Sequence, residues 1–283
     1  MISAPLHDTS MDSQEMLASL RQLQVDSLQV LDQVRPGLDH RQAVGVNAKG
    51  DRQMHFDIAA DEWIRKWLSE HFESGVVESE ERRGVFEFGS GKQGYRFIVD
   101  PVDGSDNFAR GLPLSAISLA MLPRHTSLCT DQVVYALVGA TSSQEAAVAA
   151  RGHGAYSDSQ RLVTSKTRRL CDAFVSCELN HWAPDASLAQ LMQTCSGIRV
   201  YGCASRALCL VAVGALDAHI DARSRLTPES FLAASLLVTE AGGHICRLDG
   251  EALGPFQSLQ DRTTLVAAST KELAEEIINA LER

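Results

Sequence analysis

Apolar side chains recur with helical spacing after Met16, at Leu17, Leu20, Leu23, Leu28, Leu31 and Val34. This gathers them on one face of an amphipathic helix that should stop near Pro36-Gly37. A second set, Phe56, Ala59, Ala60, Trp63, Ile64, Trp67 and Leu68, predicts another helix with Asp57 and Asp61 close to its start. The period then shortens. Val76-Val77 reads as a short strand leading into Glu78-Ser79-Glu80-Glu81, and the Gly- and charge-rich residues 82–94 read as an exposed hairpin or lid. Phe97-Ile98-Val99 reads as a buried strand ending at Asp100, where Pro101 and Gly104 turn the chain. Leu114–Leu122 returns as a second buried strand, and residues 132–138, 146–150 and 152–156 suggest a strand meander with Gly turns.

After Arg168-Arg169 the pattern restarts. Ala173–Cys177, Ile198–Tyr201, Ala218–Ile220 and Val266–Ala268 read as strands, and Ser187–Thr194, Arg206–Val213 and Thr270–Leu281 as helices. Glu229–Ala241 is apolar nearly all round, which predicts a buried helix capped at Gly242-Gly243. Helices and strands therefore alternate in a mixed α/β body. We divide it into a flexible segment over 1–14, an α+β half over 15–168 and an α/β half over 169–283.

Composition narrows the function classes. The 283 residues are enough for a substantial core. A formal net charge of -10 argues against a general nucleic-acid binder, while leaving room for a small phosphorylated ligand if bound metal reverses the local sign. No apolar run is long enough to cross a membrane, and no basic-then-apolar leader opens the chain, so we expect a cytoplasmic protein. Seven scattered cysteines without a C-x-x-C pair read as reduced thiols, and their spacing does not suit zinc.

The chemistry concentrates at Asp100-Pro101-Val102-Asp103-Gly104-Ser105-Asp106-Asn107-Phe108. Two carboxylates closely spaced at a strand end repel one another, and burial raises that cost. A hard divalent cation such as Mg2+ relieves it by binding carboxylate oxygens. The bland alternative for a lone D-x-x-D is a solvated loop with Asx-turns.

This run resembles the first signature of the inositol monophosphatase family, metal-dependent phosphatases of sugar, inositol and nucleotide phosphates. Gly111-Leu112-Pro113-Leu114 is also family-like, and Leu236–Gly243, ending in Glu-Ala-Gly-Gly, is similar to the second signature. Glu80-Glu81 match the upstream acidic pair, and Asp57 stands where relatives carry a further acid. The resemblance covers roughly residues 15–282. It implies a layered α-β-α-β-α sandwich of the inositol monophosphatase/fructose-1,6-bisphosphatase type, commonly a homodimer, with the site between its halves. It implies hydrolysis of a small phosphate monoester with two or three Mg2+ ions. Glu80, Asp100 and the Val102 carbonyl would hold the first ion, and Asp100 and Asp103 would share the second. Glu80 and Ser105 would activate the attacking water, with Asp57 as an outer acid of the catalytic group. Substrate contacts would come from Asp103, the N–H groups of Gly104 and Ser105, Gly202, Cys203, Asp221 and Arg223. The mobile loop carrying Lys49 and Asp51 would approach the metals.

One position departs from the pattern. Relatives place Trp-Asp ten residues before the Glu of Glu-Ala-Gly-Gly, and here Glu229-Ser230 stand there. A hydroxyl replaces a charged ligand of the second metal, and divalent-ion affinity depends on ligand charge. Glu229 is a candidate substitute ligand. The stronger reading is a first-turn acid, with Thr227 as N-cap, Pro228 at N1 and Ser230 at N3, which accounts for each of these residues without metal. Three outcomes follow: a phosphatase with a weakened second site, activity on a substrate that fills the gap, or a binding or regulatory protein. Substrate candidates are inositol monophosphate, other sugar or polyol phosphates, fructose 1,6-bisphosphate and adenosine 3',5'-bisphosphate, the last disfavoured by the lack of an aromatic pair near the pocket segments. His153 and His219 read first as ordinary polar contacts. Arg199 and Arg206 could assist binding, the latter being otherwise a surface residue on its helix.

Overall fold

In the strand Ala116–Pro123 every residue before Pro123 is buried, so neither face of the sheet meets water along this strand. Ile117, Leu119 and Met121 enter one apolar cluster, while Ala116, Ala120 and Leu122 enter another. Side chains still alternate with period two, but both faces are apolar, which is why the sequence shows a continuous hydrophobic run.

The computed structural model describes residues 12–34, 43–47, 50, 52–90 and 92–282. The predicted helix stop at Pro36-Gly37, Lys49, Asp51 and nearly all of the 1–14 segment lie outside them. In chain order the elements are α1 (Ser13–Val34), β1 (Gly45–Val46), β2 (Arg52–Gln53), α2 (His55–His71), β3 (Gly75–Ser79), β4 (Phe86–Phe88), β5 (Tyr95–Asp103), α3 (Ser105–Ala109) and β6 (Ala116–Pro123). There follow β7 (Tyr135–Ala140), β8 (Ala146–Ala150), β9 (Gly154–Ser157), β10 (Gln160–Arg161), β11 (Phe174–Cys177), α4 (Ala186–Thr194), β12 (Gly197–Arg199) and α5 (Ala204–Ala212). The chain closes with β13 (Ala218–Leu226), α6 (Pro228–Glu240), β14 (His244–Cys246), β15 (Thr263–Ala268) and α7 (Lys271–Leu281).

An eight-stranded sheet runs β10-β9-β8-β7-β6-β5-β3-β4, antiparallel except at β3–β5. A five-stranded sheet runs β12-β11-β13-β15-β14, with β11 parallel to both neighbours. Helices α1 and α2 cover the outer face of the first sheet, α5 and α6 fill the space between the sheets, and α4 and α7 cover the outer face of the second. These five layers are the α-β-α-β-α sandwich. The middle layer explains the apolar stretch at Glu229–Ala241: α6 has a sheet on either side, so a polar face would have nowhere to meet solvent. Its Ser235 and Thr239 hydroxyls return to carbonyls of the same helix. Gly242 follows with φ +95°, the left-handed conformation that glycine adopts without steric cost.

Several elements differ from expectation for physical reasons. Of the two expectations for residues 82–94 the hairpin is met, β4 pairing antiparallel with β3 as the edge strand. The strand bearing Asp100 does not stop there. It continues through Pro101 to Asp103, and its ladder with β6 shifts register between Asp100 and Asp103, where Pro101 has no N–H to donate. β13 runs six residues beyond Ile220, its charged end being hidden to a search for apolar alternation.

Leu237 is fully buried in α6. Leu237→Ala should lower unfolding stability by about 2–5 kcal/mol, read as a reduced urea midpoint at constant slope. Glu275→Ala on exposed α7, which removes a 3.6 Å ion pair with Lys271, should change it by no more than about 0.5 kcal/mol.

Candidate active site

The end of β5, the start of α5, the end of β13 and the start of α6 meet around a cavity of about 270 Å³. That is close to the lower end of the roughly 300–1,000 Å³ typical of small-molecule sites. Asp103, Gly202, Ala204, Arg223 and Ser230 contribute to its wall.

Local chain geometry sets each acidic group. Gly104 takes φ +81° to bend β5 into α3, and a Cβ there would stand 3.0 Å from Cys203 Cβ and 3.1 Å from the Leu114 carbonyl oxygen. Only glycine meets both demands. At the next residue, the Ser105 hydroxyl lies 3.0 Å from Asp57 Oδ1 and 2.9 Å from the Val102 carbonyl oxygen, and its single proton can serve one of them at a time. Asp57 Oδ2 accepts the Met54 N–H at 2.8 Å, closing the start of α2. Asp103 Oδ2 accepts the Ser205 N–H at 2.7 Å and the Cys203 thiol at 3.3 Å, which ties the end of β5 to the first turn of α5. Asn107 holds the facing turn by donating to the Leu114 and Tyr201 carbonyls. Because α3 spans only five residues, any hold on phosphate rests on the separate N–H groups of Gly104 and Ser105 rather than on a helix dipole.

The acids crowd one another. Glu80 follows β3 and donates its N–H to the Val99 carbonyl, one residue before Asp100, while its Oε1 accepts the Asn47 amide at 2.8 Å. Burial pushes the Asp57 carboxyl up to about 7 against the hydrogen bonds from Met54 and Ser105, with Glu80 and Asp106 adding to the rise. Burial, then Asp57 and Glu80, lift Glu81 to about 8, although Gln53 donates to it at 2.7 Å. Asp103 is raised by burial and by Glu80, opposed by its bonds to Ser205 and Cys203.

Among the described residues no group of three His, Cys, Asp or Glu side chains closes into a metal site. The donor chemistry at the first position nevertheless fits a hard cation: carboxylate oxygens beside a strand carbonyl are the ligands such an ion prefers. Glu80, Asp100 and the Val102 carbonyl are the residues that would hold it. The second position fits less well, because Ser230 offers a hydroxyl where a carboxylate is needed and one oxygen of Asp103 is committed to α5.

Not every candidate reaches the cavity wall. Cys203 is buried beneath it as the N-cap residue of α5, bonded to Asp103. Asp221 is fully buried and binds Arg223 through both oxygens, at 3.0 and 2.7 Å. Asp57 lies behind Ser105. Glu229 is buried and receives the Thr227 hydroxyl, while Ser230 is the residue of this pair that meets the cavity. Thr227 does occupy the N-cap position, but its hydroxyl turns to Glu229 rather than to a helix N–H. Arg206 pairs with Glu145 at 2.9 Å, Arg199 lies over the Phe174 ring, and His153 is exposed. The sequence reading missed Glu178, Asn180, His181, Arg225 and Arg262, all in the cavity wall. Arg225 could have been found from its two-residue spacing to Arg223 on a strand, whereas Arg262 is brought in only by sheet pairing.

A profile of the inositol monophosphatase family matches residues 12–283. The chain is 30% identical over 232 residues to an inositol-1-monophosphatase of Mesorhizobium japonicum, covering 80% of this chain and 81% of that one. It is 28% identical over 246 residues to a fructose-1,6-bisphosphatase of Pyrococcus furiosus, covering 86% and 89%. The crystal structure of the extragenic suppressor protein suhB from Bartonella henselae superposes with a TM-score of 0.79 at 25% identity, covering 95% and 98%.

A buried polar stripe runs across the second sheet toward the cavity. Ser176 and His219 are cross-strand partners with the hydroxyl 2.7 Å from Nδ1, and Nε2 is buried without a hydrogen-bond partner among the described residues. Burial pushes the imidazole from 6.5 down to about 4, with Asp221 opposing and Arg223 adding to the fall. The unfolded chain therefore takes up this proton at higher pH than the folded one. The stability that neutral His219 contributes is complete above about pH 6.5 and is lost as pH falls toward 4, by about 3 kcal/mol. His219→Gln should remove this component, so urea titrations at about pH 7 and pH 4 should show the variant gaining on the parent by that amount. Parallel pH dependence in the two proteins would mean that the imidazole is not held neutral.

Proposed function

The chain belongs to the inositol monophosphatase family, a family of phosphate-monoester hydrolases, and we propose that it hydrolyses a small sugar or polyol phosphate in the presence of Mg2+, inositol monophosphate being the first candidate. The observation that carries this reading is the end of β5. There Asp103 borders a cavity sized for a small molecule, Ser105 bonds Asp57 and lies against the Val102 carbonyl, and the Glu80 N–H meets the Val99 carbonyl next to Asp100, an arrangement that supports this reading. When bound there, a divalent cation supplies charge neutralisation of the phosphate and acidification of water. The protein supplies position and proton transfer. Ser105, tethered by Asp57, orients the attacking water, and a carboxylate oxygen of Glu80 accepts its proton. The N–H groups of Gly104 and Ser105 hold phosphate oxygens. Arg223, fixed by Asp221 and lying 3.7 Å from Glu178, faces the substrate body.

Ser230 favours a second reading, a phosphate-binding protein that has lost turnover with its second metal site. Phosphate release titrated with Mg2+ over inositol monophosphate, glycerol 2-phosphate, fructose 1,6-bisphosphate and adenosine 3',5'-bisphosphate separates the two. Release abolished by EDTA, and reduced by roughly a hundredfold or more in Asp100→Asn and Glu80→Gln, is the expected result. Ser230→Asp should raise activity or leave it little changed. A folded parent that releases nothing while Ser230→Asp does would show a site given up at that one position. Silence from both would favour the binding role.

A further inference from the structure

Three arginines share the cavity wall, and they are not equivalent. Arg223 is satisfied: Asp221 grips its guanidinium from below and Glu178 stands beside it. Arg225 makes one contact, to the His181 carbonyl at 3.5 Å, and is exposed. Arg262 is exposed as well, and neither has a carboxylate within ion-pair distance among the described residues. The two are neighbours. Leu226 of β13 pairs with Thr263 of β15, so Arg225 and Arg262 lie diagonally across the antiparallel ladder on one face. The other charged groups of the wall are already committed, Asp103 to the Ser205 N–H and Glu178 to Arg223 and the Asn180 N–H. What remains in that wall without an ion-pair partner among the described residues is the pair of guanidinium groups of Arg225 and Arg262.

From this we infer that Arg225 and Arg262 form a subsite for a second anionic group, so that the substrate is a phosphate monoester carrying a further phosphate or carboxylate. The inference rests on the phosphatase reading and, within it, puts doubly anionic esters ahead of inositol monophosphate. Paired guanidinium groups in a concave wall suit a phosphate or carboxylate better than a sugar hydroxyl, because their planar forks donate charge-assisted hydrogen bonds. Neutral Ser230 belongs to the same picture, since that stretch of wall adds no carboxylate to repel the anion.

The test compares kcat/KM for fructose 1,6-bisphosphate and 3-phosphoglycerate, with a second phosphate and a carboxylate, against inositol monophosphate and glycerol 2-phosphate, with neutral bodies. The parent should prefer the doubly anionic esters, and added salt should shrink the preference. In the double variant Arg225→Ala/Arg262→Ala the ratio of kcat/KM between the two classes should fall roughly ten- to hundredfold, mainly through KM, with lysine at both positions restoring part of it. Loss with only one of the two doubly anionic esters would say whether phosphate or carboxylate is recognised. An unchanged ratio would overturn the subsite while leaving the phosphatase reading intact. If the parent hydrolyses nothing, the phosphatase reading fails, and calorimetric binding of fructose 1,6-bisphosphate against fructose decides the subsite alone. Binding lost in the double variant supports it, and equal binding by parent and variant overturns it.

Discussion

Gathering carboxylates is the constraint around which this site is built. Asp57, Glu80, Glu81, Asp100 and Asp103 come from a helix start, the end of one strand and the end of its neighbour, and burial, with Glu80 adding to it, raises the cost of ionising Asp57, Glu81 and Asp103. The fold offsets part of that cost with donors it already has to spare. The unpaired N–H groups at the beginnings of α2 and α5 go to Asp57 and Asp103, and the Gln53 amide goes to Glu81. Helix starts here are therefore fixed by the acids as much as the acids are fixed by the helices. A cation would complete a compensation that the backbone has begun.

Much of this was legible in the sequence, and the parts that were not share a cause. The amphipathic helices α1, α2 and α7 and the all-apolar α6 follow from periodicity, because each meets either one sheet or two. The Asp100–Ser105 run announces itself because proline, glycine and three oxygen-bearing side chains have no reason to end a core strand without chemistry. What escaped was anything decided across elements. The extension of β5 past Pro101 depends on β6, the commitment of Asp103 depends on α5, and Arg262 joins the cavity only because Thr263 pairs with Leu226. Glu229 and Ser230 show the limit most clearly. Local spacing left both open as cavity residues, and the side-chain bond from Thr227 drew Glu229 into the core.

The two sheets contribute differently to the site. The first brings acids and tight backbone turns on β5 and α3, held rigidly by neighbours on both faces. The second brings bases on β13 and at the start of β15, raised on a strand that carries a bulge between Asp221 and Leu226, with Ser224 in the left-handed region at φ +53°. Such a kink in a non-glycine residue has a cost, and the surrounding contacts of Arg223 and Arg225 hold it in place. Acidic and basic walls thus arise from separate layers, which allows each to be tuned without displacing the other.

The placement of Ser230 bears on how such a molecule can change over generations. Downstream of it, from Phe231 to Val238, α6 is sealed between two sheets and tolerates little alteration of volume. Ser230 itself borders the cavity, so exchanging serine for aspartate there alters the ligand set without repacking the core behind it. The chemistry of the cavity wall and the stability of the scaffold are therefore set at adjacent positions of α6.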